Sequence, residues 1–544
     1  MCFRGNVSGH DFQFHLASWM DVAGQWREGI AYPRWAEWAN WGFGEPRFVF
    51  YPPVSWMAGA ALSFVLPWKM VPGAFIWLSM VVAGMSMWRL ARDWIAGPCA
   101  VVAAVLFAVN PYHLVIAYYR SDFAELLADA LLPLLIWAFL GVAREGWRRV
   151  PWLAVIFAGI WLSNAPAAVI ATYALGLMLL IVCAVQRSFR PLVPGATAMA
   201  SGFGLVAFYI LPAAWEQRWV QIGQVVGENL RPAQNFLFTR ANDPEFVAFN
   251  WKVSWVAIAV MIVTGIAATF AARRRRDFRE LWWILAVLGA VAAALMFGPS
   301  LFLWRSLPEL NFIQFPWRWL SMLDLALAFF VAAAMSRAQK IASWLGIAIV
   351  FAALLAAGRA MVEDAWWDSS DVPAMAEGIR SGRGYEGTNE YAPVGCDRWE
   401  FPGDPDDDAR PADVSPVPAP PIGKIDLATD TLVPATGVRL HVARWTAERK
   451  VFTVETPAPV TLALRLVSYP GWEVRVDGKQ TRGELRADTN QLLLPLGPGA
   501  HRVEARFGRT WDRTAGDAIS VLSAMAWLGL VAVLRKRGSG EPAR

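Results

Sequence analysis

The stretch PCAVVAAVLFAVNPYHLVIAYYRSDFAELLADALLPLLIWAFLGVAREGWRR, residues 98–149, decides the class of this protein. It contains two apolar blocks, 98–116 and 124–143, each near the ~20 residues that carry a helix across a hydrocarbon core. Between them lies Tyr118-Tyr119-Arg120-Ser121-Asp122-Phe123-Ala124-Glu125, and after them a loop bearing Arg144, Arg148 and Arg149. The pattern recurs along the chain. Spanning helices are expected at 71–90, 98–116, 124–143, 151–163, 166–185, 197–213, 251–271, 281–298, 314–335, 341–360 and 516–534. The fourth is short, and the Ser163-Asn164-Ala165-Pro166 break separates it from the fifth.

Composition agrees with that reading. Of 544 residues, 56% are apolar and 17% charged, and the mean hydropathy is +0.37; a soluble chain of this length needs more charge to cover its surface. Many of the 31 Trp sit at block ends, where amphipathic rings favour the headgroup region. The net charge of +5 does not point to nucleic acid, because most Arg lies in short loops between apolar blocks. Cys2, Cys99, Cys183 and Cys396 are scattered, with no metal spacing and no disulfide framework.

Loop charge sets an expected orientation. Alternate loops hold Arg89/Arg92, Arg144/Arg148/Arg149, Arg187/Arg190, Arg273 to Arg276, Arg337/Lys340 and Arg535/Lys536/Arg537. The positive-inside rule makes that side cytoplasmic, so residues between 360 and 516 lie outside. Residues 52–68 are apolar enough to span, but spanning would place the Trp-rich, acid-bearing residues 1–50 in the cytoplasm. We read 1–70 as one extracytoplasmic segment with amphipathic and juxtamembrane helices, and 71–360 as the transmembrane domain. A segment starting outside at Met1 needs something to carry it across, and a first spanning helix is expected upstream.

After residue 360 the composition shifts. Residues 361–436 are acidic and rich in Pro and Gly (Asp404-Pro405-Asp406-Asp407-Asp408, Pro416 to Pro421), which reads as irregular structure or linker. Residues 437–515 alternate: Val438-Arg439-Leu440-His441-Val442, Leu462-Ala463-Leu464-Arg465-Leu466, Trp472-Glu473-Val474-Arg475-Val476. Asp477-Gly478 is a hairpin signal, and a small β-sandwich is expected. Residues 516–544 supply a last helix and a basic cytoplasmic tail.

Three places gather polar groups beside apolar helices. One is Gly9-His10-Asp11-Phe12-Gln13-Phe14-His15 with Tyr32-Pro33-Arg34-Trp35; the second is the Arg120, Asp122, Glu125 loop; the third is Gln314-Phe315-Pro316-Trp317-Arg318, with Asp324 inside the helix that follows. A carboxylate at a membrane surface serves as a general base or a hard-cation ligand, and an Arg there holds phosphate bidentately. Plainer roles stand beside these. Asp11 fits an N-cap of the amphipathic stretch after it. Asp122 and Glu125 suit a helix N-terminus, and Arg318 suits a snorkelling position at a helix end. His10 and His15 with Asp11 hint at zinc, but nothing else supplies ligands. Asp324 is costly at its depth and points to function. Gly382-Arg383-Gly384-Tyr385-Glu386-Gly387 matches a dinucleotide fingerprint by letter only, since no strand precedes it. The chain has no P-loop and no HExxH.

Taken together, Gly9-His10-Asp11 to His15, Tyr32-Pro33-Arg34-Trp35, Gly42-Phe43-Gly44, Phe50-Tyr51-Pro52-Pro53, Phe315-Pro316-Trp317-Arg318, Tyr469-Pro470-Gly471-Trp472 and Val476-Asp477-Gly478 resemble bacterial YfhO-like membrane proteins. The same pattern occurs in proteins labelled 6-pyruvoyl-tetrahydropterin synthase-related, a label without demonstrated pterin chemistry. This group is similar to the GT-C superfamily of membrane glycosyltransferases. The resemblance implies a mainly α, GT-C-like polytopic fold with about eleven spans and a C-terminal extracytoplasmic β domain, in the bacterial plasma membrane. It implies an inverting glycosyltransferase that moves a sugar from a polyprenyl-phosphate donor to an extracytoplasmic glycan or lipid acceptor. Asp11 would be the first-loop acid and Asp122 or Glu125 the second-loop acid. His10, His15, Arg34, Arg120, Gln314, Arg318 and Asp324 would bind substrate, with Arg318 on the donor phosphate. A divalent cation, Mg or Mn, on Asp11 and Asp122 stays open, because His10 stands where some relatives have a second carboxylate. The family's first helix is absent from this sequence. A flippase of lipid-linked glycans and a non-catalytic scaffold with a glycan- or protein-binding β domain are the alternatives.

Overall fold

The computed structural model describes residues 5–240, 242–274, 276–335, 352, 365–401 and 438–539. A helical bundle forms one part, and a β domain packs at one end of it. The helix Val71–Ala91 has 21 residues, about 31 Å at 1.5 Å per residue, one hydrocarbon core in length. Near its start Phe75 packs on Trp19 and Phe123, with ring centroids 5.1 and 5.8 Å away. At its other end Arg89 pairs with Asp93 at 2.7 Å, and Trp137 donates to the same carboxylate at 3.2 Å. There too Arg144 and Gln186 each meet Glu280 at 2.9 Å. The basic loops after Val71–Ala91, Leu132–Glu145 and Ala165–Gln186 thus share one end of the bundle, with the start of Arg279–Leu295.

Several expected spans are interrupted. Gly97–Ala108 stops before Asn110-Pro111, whose ring cannot continue the ladder; the Asn110 side chain caps the next turn by accepting from the His113 N–H at 2.8 Å. Phe123–Asp129 and Leu132–Glu145 are separate helices. Gly146, at φ +63, then turns the chain into Val150–Trp161, which folds back so closely that a Cβ on Gly159 would lie 3.4 Å from Leu131. This second arm has 12 residues, about 18 Å. Where it ends, the Leu162 carbonyl accepts from Val54 N–H at 2.8 Å. Leu192–Leu205 bends by 71° into the helix from Ala207, and Arg279–Leu295 by 94° into Gly298–Ser306. Backbone groups freed in apolar surroundings need partners. At the first bend Ser520 supplies both, accepting from Phe208 N–H at 2.9 Å and donating to the Gly204 carbonyl at 3.1 Å. Among the described residues seven helices are long and apolar enough to cross a membrane, or up to nine if each bent pair is one span. The expected eleven are not reproduced, and the span at 341–360 lies outside the described residues.

The amino-terminal segment covers the end of the bundle opposite the basic loops. Its helix Phe12–Arg27 packs against Pro53–Leu62, a helix of 10 residues and about 15 Å that reaches only half a hydrocarbon core. The region 361–436 departs from its reading as linker wherever it is described. Strand β2 (Trp367–Asp368) pairs antiparallel with β1 (Asn6–Val7). The helix Asp371–Arg380 follows, Tyr385 donates its hydroxyl to Asp21 at 2.9 Å, and Thr388 N–H donates to Glu45 at 2.9 Å. The glycine-rich run 382–387 is a close-packing surface: Gly384 holds φ +87, and a Cβ there would stand 2.4 Å from the Trp38 carbonyl oxygen.

The β domain pairs β3 (Arg439–Thr446), β4 (Arg449–Thr456), β10 (Gly499–Phe507), β6 (Trp472–Val476) and β7 (Lys479–Thr481), in that order, in one sheet. The other sheet is β5 (Val460–Val467), β9 (Gln491–Leu496) and β8 (Glu484–Leu485). Alternate residues face inward: Phe452, Val454, Val503, Ala505 and Phe507 on one side, Leu462, Leu464, Leu466, Leu492, Leu494 and Leu496 on the other. Asp477 and Gly478, at φ +50 and +80, make the two-residue turn between β6 and β7. The two aromatic tetrapeptides of the sequence meet at the joint. Trp35 lies edge-on to Trp472, with centroids 5.4 Å apart, and Gly44 leaves it room, since a Cβ there would stand 2.1 Å from the indole nitrogen. Tyr469 donates to the buried Glu216 at 2.6 Å, and Glu216 takes both Nε and Nη2 of Arg513 at 2.7 and 2.8 Å.

Arg513→Leu leaves the Glu216 charge buried without its partner, and is expected to cost about 3–5 kcal/mol. Tryptophan-detected unfolding in detergent checks it; a change below about 1 kcal/mol, the scale of an exposed pair, would show that this pair does not secure the joint.

Candidate functional site

At the end of the bundle opposite the basic loops, a run of unusual backbone brings charge together. The π-helical turn Ile116–Arg120 widens the helix under Arg120, a feature often found at functional sites. Ser121 follows in the left-handed region at φ +55. Asp122 then caps Phe123–Asp129, its Oδ1 accepting from Glu125 N–H at 3.0 Å. Residues 7–11 are fastened to this turn: Gly9 N–H donates to Ser121 Oγ at 3.0 Å, Ser121 donates to the Val7 carbonyl at 3.0 Å, and Asp11 N–H donates to the Arg120 carbonyl at 2.8 Å. A Cβ on Gly9 would lie 2.3 Å from the Tyr119 carbonyl oxygen, so only glycine fits.

Asp11 precedes Phe12–Arg27, yet its side chain makes no capping hydrogen bond. It accepts instead from Arg120 Nη2 at 2.9 Å. Arg120 Nη1 reaches Glu125 at 2.8 Å, and its Nη2 lies 3.4 Å from Asp122. Arg318 closes the cluster from the turn leading into Leu320–Met335, with Nε donating to Glu125 at 3.0 Å and Nη2 to Asp122 at 3.4 Å. It is buried and does not snorkel. Its Nη1 donates to the Ile313 carbonyl at 2.8 Å and to Gln314 Oε1 at 3.1 Å. Gln314 sits at φ +64, ψ −59, with Phe315 N–H bonded to the Ile313 carbonyl at 2.7 Å. That is a γ-turn, a strained conformation that the surrounding contacts must hold in place.

The remaining expected residues divide. His15 is buried, its Nε2 3.6 Å from Asp122. His10 stands exposed at the rim, its ring centroid 5.7 Å from Tyr119 and 5.9 Å from Phe249. Asp324 is fully buried and joins at one remove: it accepts from Tyr112 N–H at 3.2 Å, and the Tyr112 hydroxyl is bonded to Glu125. Arg34 is not at the site. The helix Phe12–Arg27, 16 residues and about 24 Å long, carries the chain away first; Arg34 lies at the β-domain joint, its guanidinium 4.6 Å from the Tyr32 ring and its N–H bonded to Glu448 at 3.1 Å. Sequence reasoning missed Asp129, buried on the helix face of Asp122 and Glu125; the three, seven residues from first to last, share one face by helical spacing. It also missed Tyr51 and Tyr391, whose rings lie 4.8 and 6.5 Å from Phe14.

The electrostatic arrangement is specific. The Asp11 side chain is 36% exposed, whereas those of Asp122 and Glu125 are 5% and 2% exposed. Of these three carboxylates only Asp11 meets solvent; the other two hold the arginines from beneath. A divalent cation on Asp11 and Asp122 does not fit this donor set. Among the described residues no group of three or more His, Cys, Asp or Glu is placed to hold a metal; Asp11 Oδ2 and Asp122 Oδ2 face guanidinium groups, and Asp122 Oδ1 accepts from the Glu125 N–H.

Fold and site together define a polytopic helical membrane protein with a buried ion-pair cluster at one end of its bundle. The model of a family of membrane proteins, the 6-pyruvoyl-tetrahydropterin synthase related domain, matches residues 48–365, and the chain belongs to that family. A solved structure, the arabinofuranosyltransferase AftD from Mycobacteria (mutant R1389S), is similar at TM-score 0.39 and 18% identity, over 67% of this chain and 28% of that one. This chain therefore spans well under a third of that protein's length, and a likeness at that level decides neither fold nor activity. None of the curated proteins matches the sequence.

Gly9→Ala forces a methyl group into the Tyr119 carbonyl, and is expected to cost about 1–3 kcal/mol while pushing Asp11 off Arg120. A thermal melt against Gln13→Ala, at an exposed neighbouring position, checks it; equal midpoints would refute the close docking of residues 7–11.

Proposed function

We propose that this protein transfers a sugar from a polyprenyl-phosphate donor to a hydroxyl of a cell-envelope acceptor, on the outer face of a bacterial plasma membrane and with inversion at the anomeric carbon. The observation that carries the reading is Asp11: a partly exposed carboxylate, 2.9 Å from a buried guanidinium, at the end of the bundle away from the basic loops. By the positive-inside rule that end faces out. The likeness of residues 9–53 and 315–318 to YfhO-like proteins supports the same reaction class.

In this mechanism Asp11 takes the proton of the acceptor hydroxyl as its oxygen attacks the anomeric carbon. The bond from that carbon to the phosphate oxygen breaks, and the lipid phosphate leaves with the electron pair. Base and leaving group lie on opposite sides of the sugar, which inverts the centre. Arg120 is committed to Asp11, Asp122 and Glu125, so it lies on the base's side of the sugar and fixes the Asp11 carboxylate toward the acceptor hydroxyl. Arg318 is a positioning residue. Its N–H groups are committed to Glu125, Asp122, Ile313 and Gln314, so it acts by fixing the carboxylates that hold Arg120. Asp122 and Glu125 belong to the same support.

The test is transfer of label by the full-length protein in proteoliposomes, from a radiolabelled pool of polyprenyl-phosphate sugars extracted from bacterial membranes into a glycan fraction. Asp11→Asn is expected to lower transfer at least ~100-fold while the protein still shows a cooperative melt. Undiminished transfer would remove Asp11 from the chemistry, and movement of labelled donor between leaflets without transfer would favour transport.

A further inference from the structure

The Arg34 guanidinium lies 4.6 Å from the Tyr32 ring, and among the described residues no group hydrogen-bonds or ion-pairs with it. Nη1 is buried without an acceptor. Nε and Nη2 also have none, yet they are not among the buried atoms of this half-buried residue. The accessible edge is therefore the one that grips two oxygens side by side. The acids within electrostatic reach are engaged elsewhere. Glu216 takes Arg513 at 2.7 and 2.8 Å, and Asp517 pairs with Arg509. Glu448 accepts the Arg34 backbone N–H through Oε1 at 3.1 Å. Its Oε2 has no partner among the described residues and is not among the buried atoms; it stays too far from the guanidinium for an ion pair.

The edge of the membrane runs through this place. Tyr32 packs on Trp56 of the helix Pro53–Leu62 and on Phe208, with centroids 5.5 and 5.7 Å away. Phe208 N–H donates to Ser520 at 2.9 Å. Ser520 stands about 22 Å from Arg535 along the carboxy-terminal helix Trp511–Ser539, at 1.5 Å per residue. Arg535 marks the basic side, so Phe208 stands in the outer part of a ~30 Å hydrocarbon core. Arg34 is stacked on the Tyr32 ring, and Glu448 meets it from the turn between β3 and β4, on the β-domain side. Aromatic rings, guanidinium and carboxylate thus follow one another from acyl chains to water. A cation at that level without a partner is expensive.

We infer that Arg34 and Glu448 form a site for the phosphoethanolamine head group of a bilayer phospholipid. The phosphate sits on the Nε–Nη2 edge of Arg34, the ammonium on Glu448, and the acyl chains beside Tyr32 and Phe208. In that head group the phosphate is nearer the chains and the ammonium nearer the water, the order in which the protein offers its opposite charges. A head group with a net negative charge leaves Glu448 without a cation and binds less well. Free phosphate lacks the chains that run past the rings. The site is separate from Asp11 and Arg120, and it stands whether or not the protein transfers sugar.

Thermal melts of the full-length protein in detergent test this, with phosphatidylethanolamine, phosphatidylglycerol or inorganic phosphate added and each variant referred to its own lipid-free midpoint. Phosphatidylethanolamine is expected to raise the wild-type midpoint, and phosphatidylglycerol to need roughly tenfold more for the same rise. Arg34→Gln is expected to need roughly tenfold more phosphatidylethanolamine than wild type. Arg34→Lys, which keeps the charge and loses the fork, falls between. Glu448→Gln keeps the acceptor for the backbone N–H and brings the two lipids level. Wild-type response to phosphatidylethanolamine in Arg34→Gln, or in Arg34→Lys where Arg34→Gln does not fold, overturns the site. Equal response of the wild type to both lipids overturns the place given to Glu448. An equal rise with inorganic phosphate alone puts a free anion on Arg34 and overturns the lipid.

Discussion

The geometry of the site depends on the Arg120 guanidinium, buried where water cannot solvate it and surrounded by Asp11, Asp122 and Glu125. Moving an unpaired charge into such a place costs several kcal/mol even after relaxation, and the loss is recovered only when every partner is in position. The partners come from three separate stretches of the chain: the docked amino terminus gives Asp11, the start of Phe123–Asp129 gives Asp122 as cap and Glu125 in its first turn, and, through the shared carboxylates, Arg318 joins from the far side of the bundle. The site is consequently over-determined. No one segment can shift without stranding a charge that another segment supplies.

That constraint accounts for the irregular backbone nearby. A straight helix through 98–120 would not place Arg120 under the amino-terminal strand; a proline stop, a capped restart and a π-helical turn do. The γ-turn at Gln314 does the same for Arg318, turning a main-chain carbonyl toward its guanidinium. Strain of this kind persists where surrounding contacts compensate for it, and the hydrogen bond from Gln314 to Val225 is one such contact.

Much of this was legible in the sequence, for physical reasons. Apolar blocks of membrane length announce themselves, and ionisable residues beside them are expensive enough to stand out, so Asp11, Asp122, Glu125 and Arg318 were picked out and the fold brings them together. The alternation of 437–515 and the Asp477-Gly478 turn gave the β domain. What failed was anything that depends on direction over distance. Arg34 follows a motif that begins at the site, but a helix of fixed rise separates the two. Residues 365–401 have the composition of a linker because close-packed turns and linkers both use Pro, Gly and acids. Apart from the Ser163-Asn164-Ala165-Pro166 break, which the structure keeps between Val150–Trp161 and Ala165–Gln186, the helix breaks were invisible for the opposite reason, since hydropathy windows average over the residues that cause them.

The doubled-back arm Val150–Trp161, with 12 residues, is too short to match the apolar height of Val71–Ala91, but it does not stand alone. The helix Trp511–Ser539 lies against it, with Trp527 donating to the Pro151 carbonyl at 3.0 Å, and Pro53–Leu62 meets its far end through the hydrogen bond from Val54 to Leu162. The carboxy-terminal helix thus restores the height that the arm lacks, and its removal would leave a step in the hydrophobic surface for the acyl chains to fill.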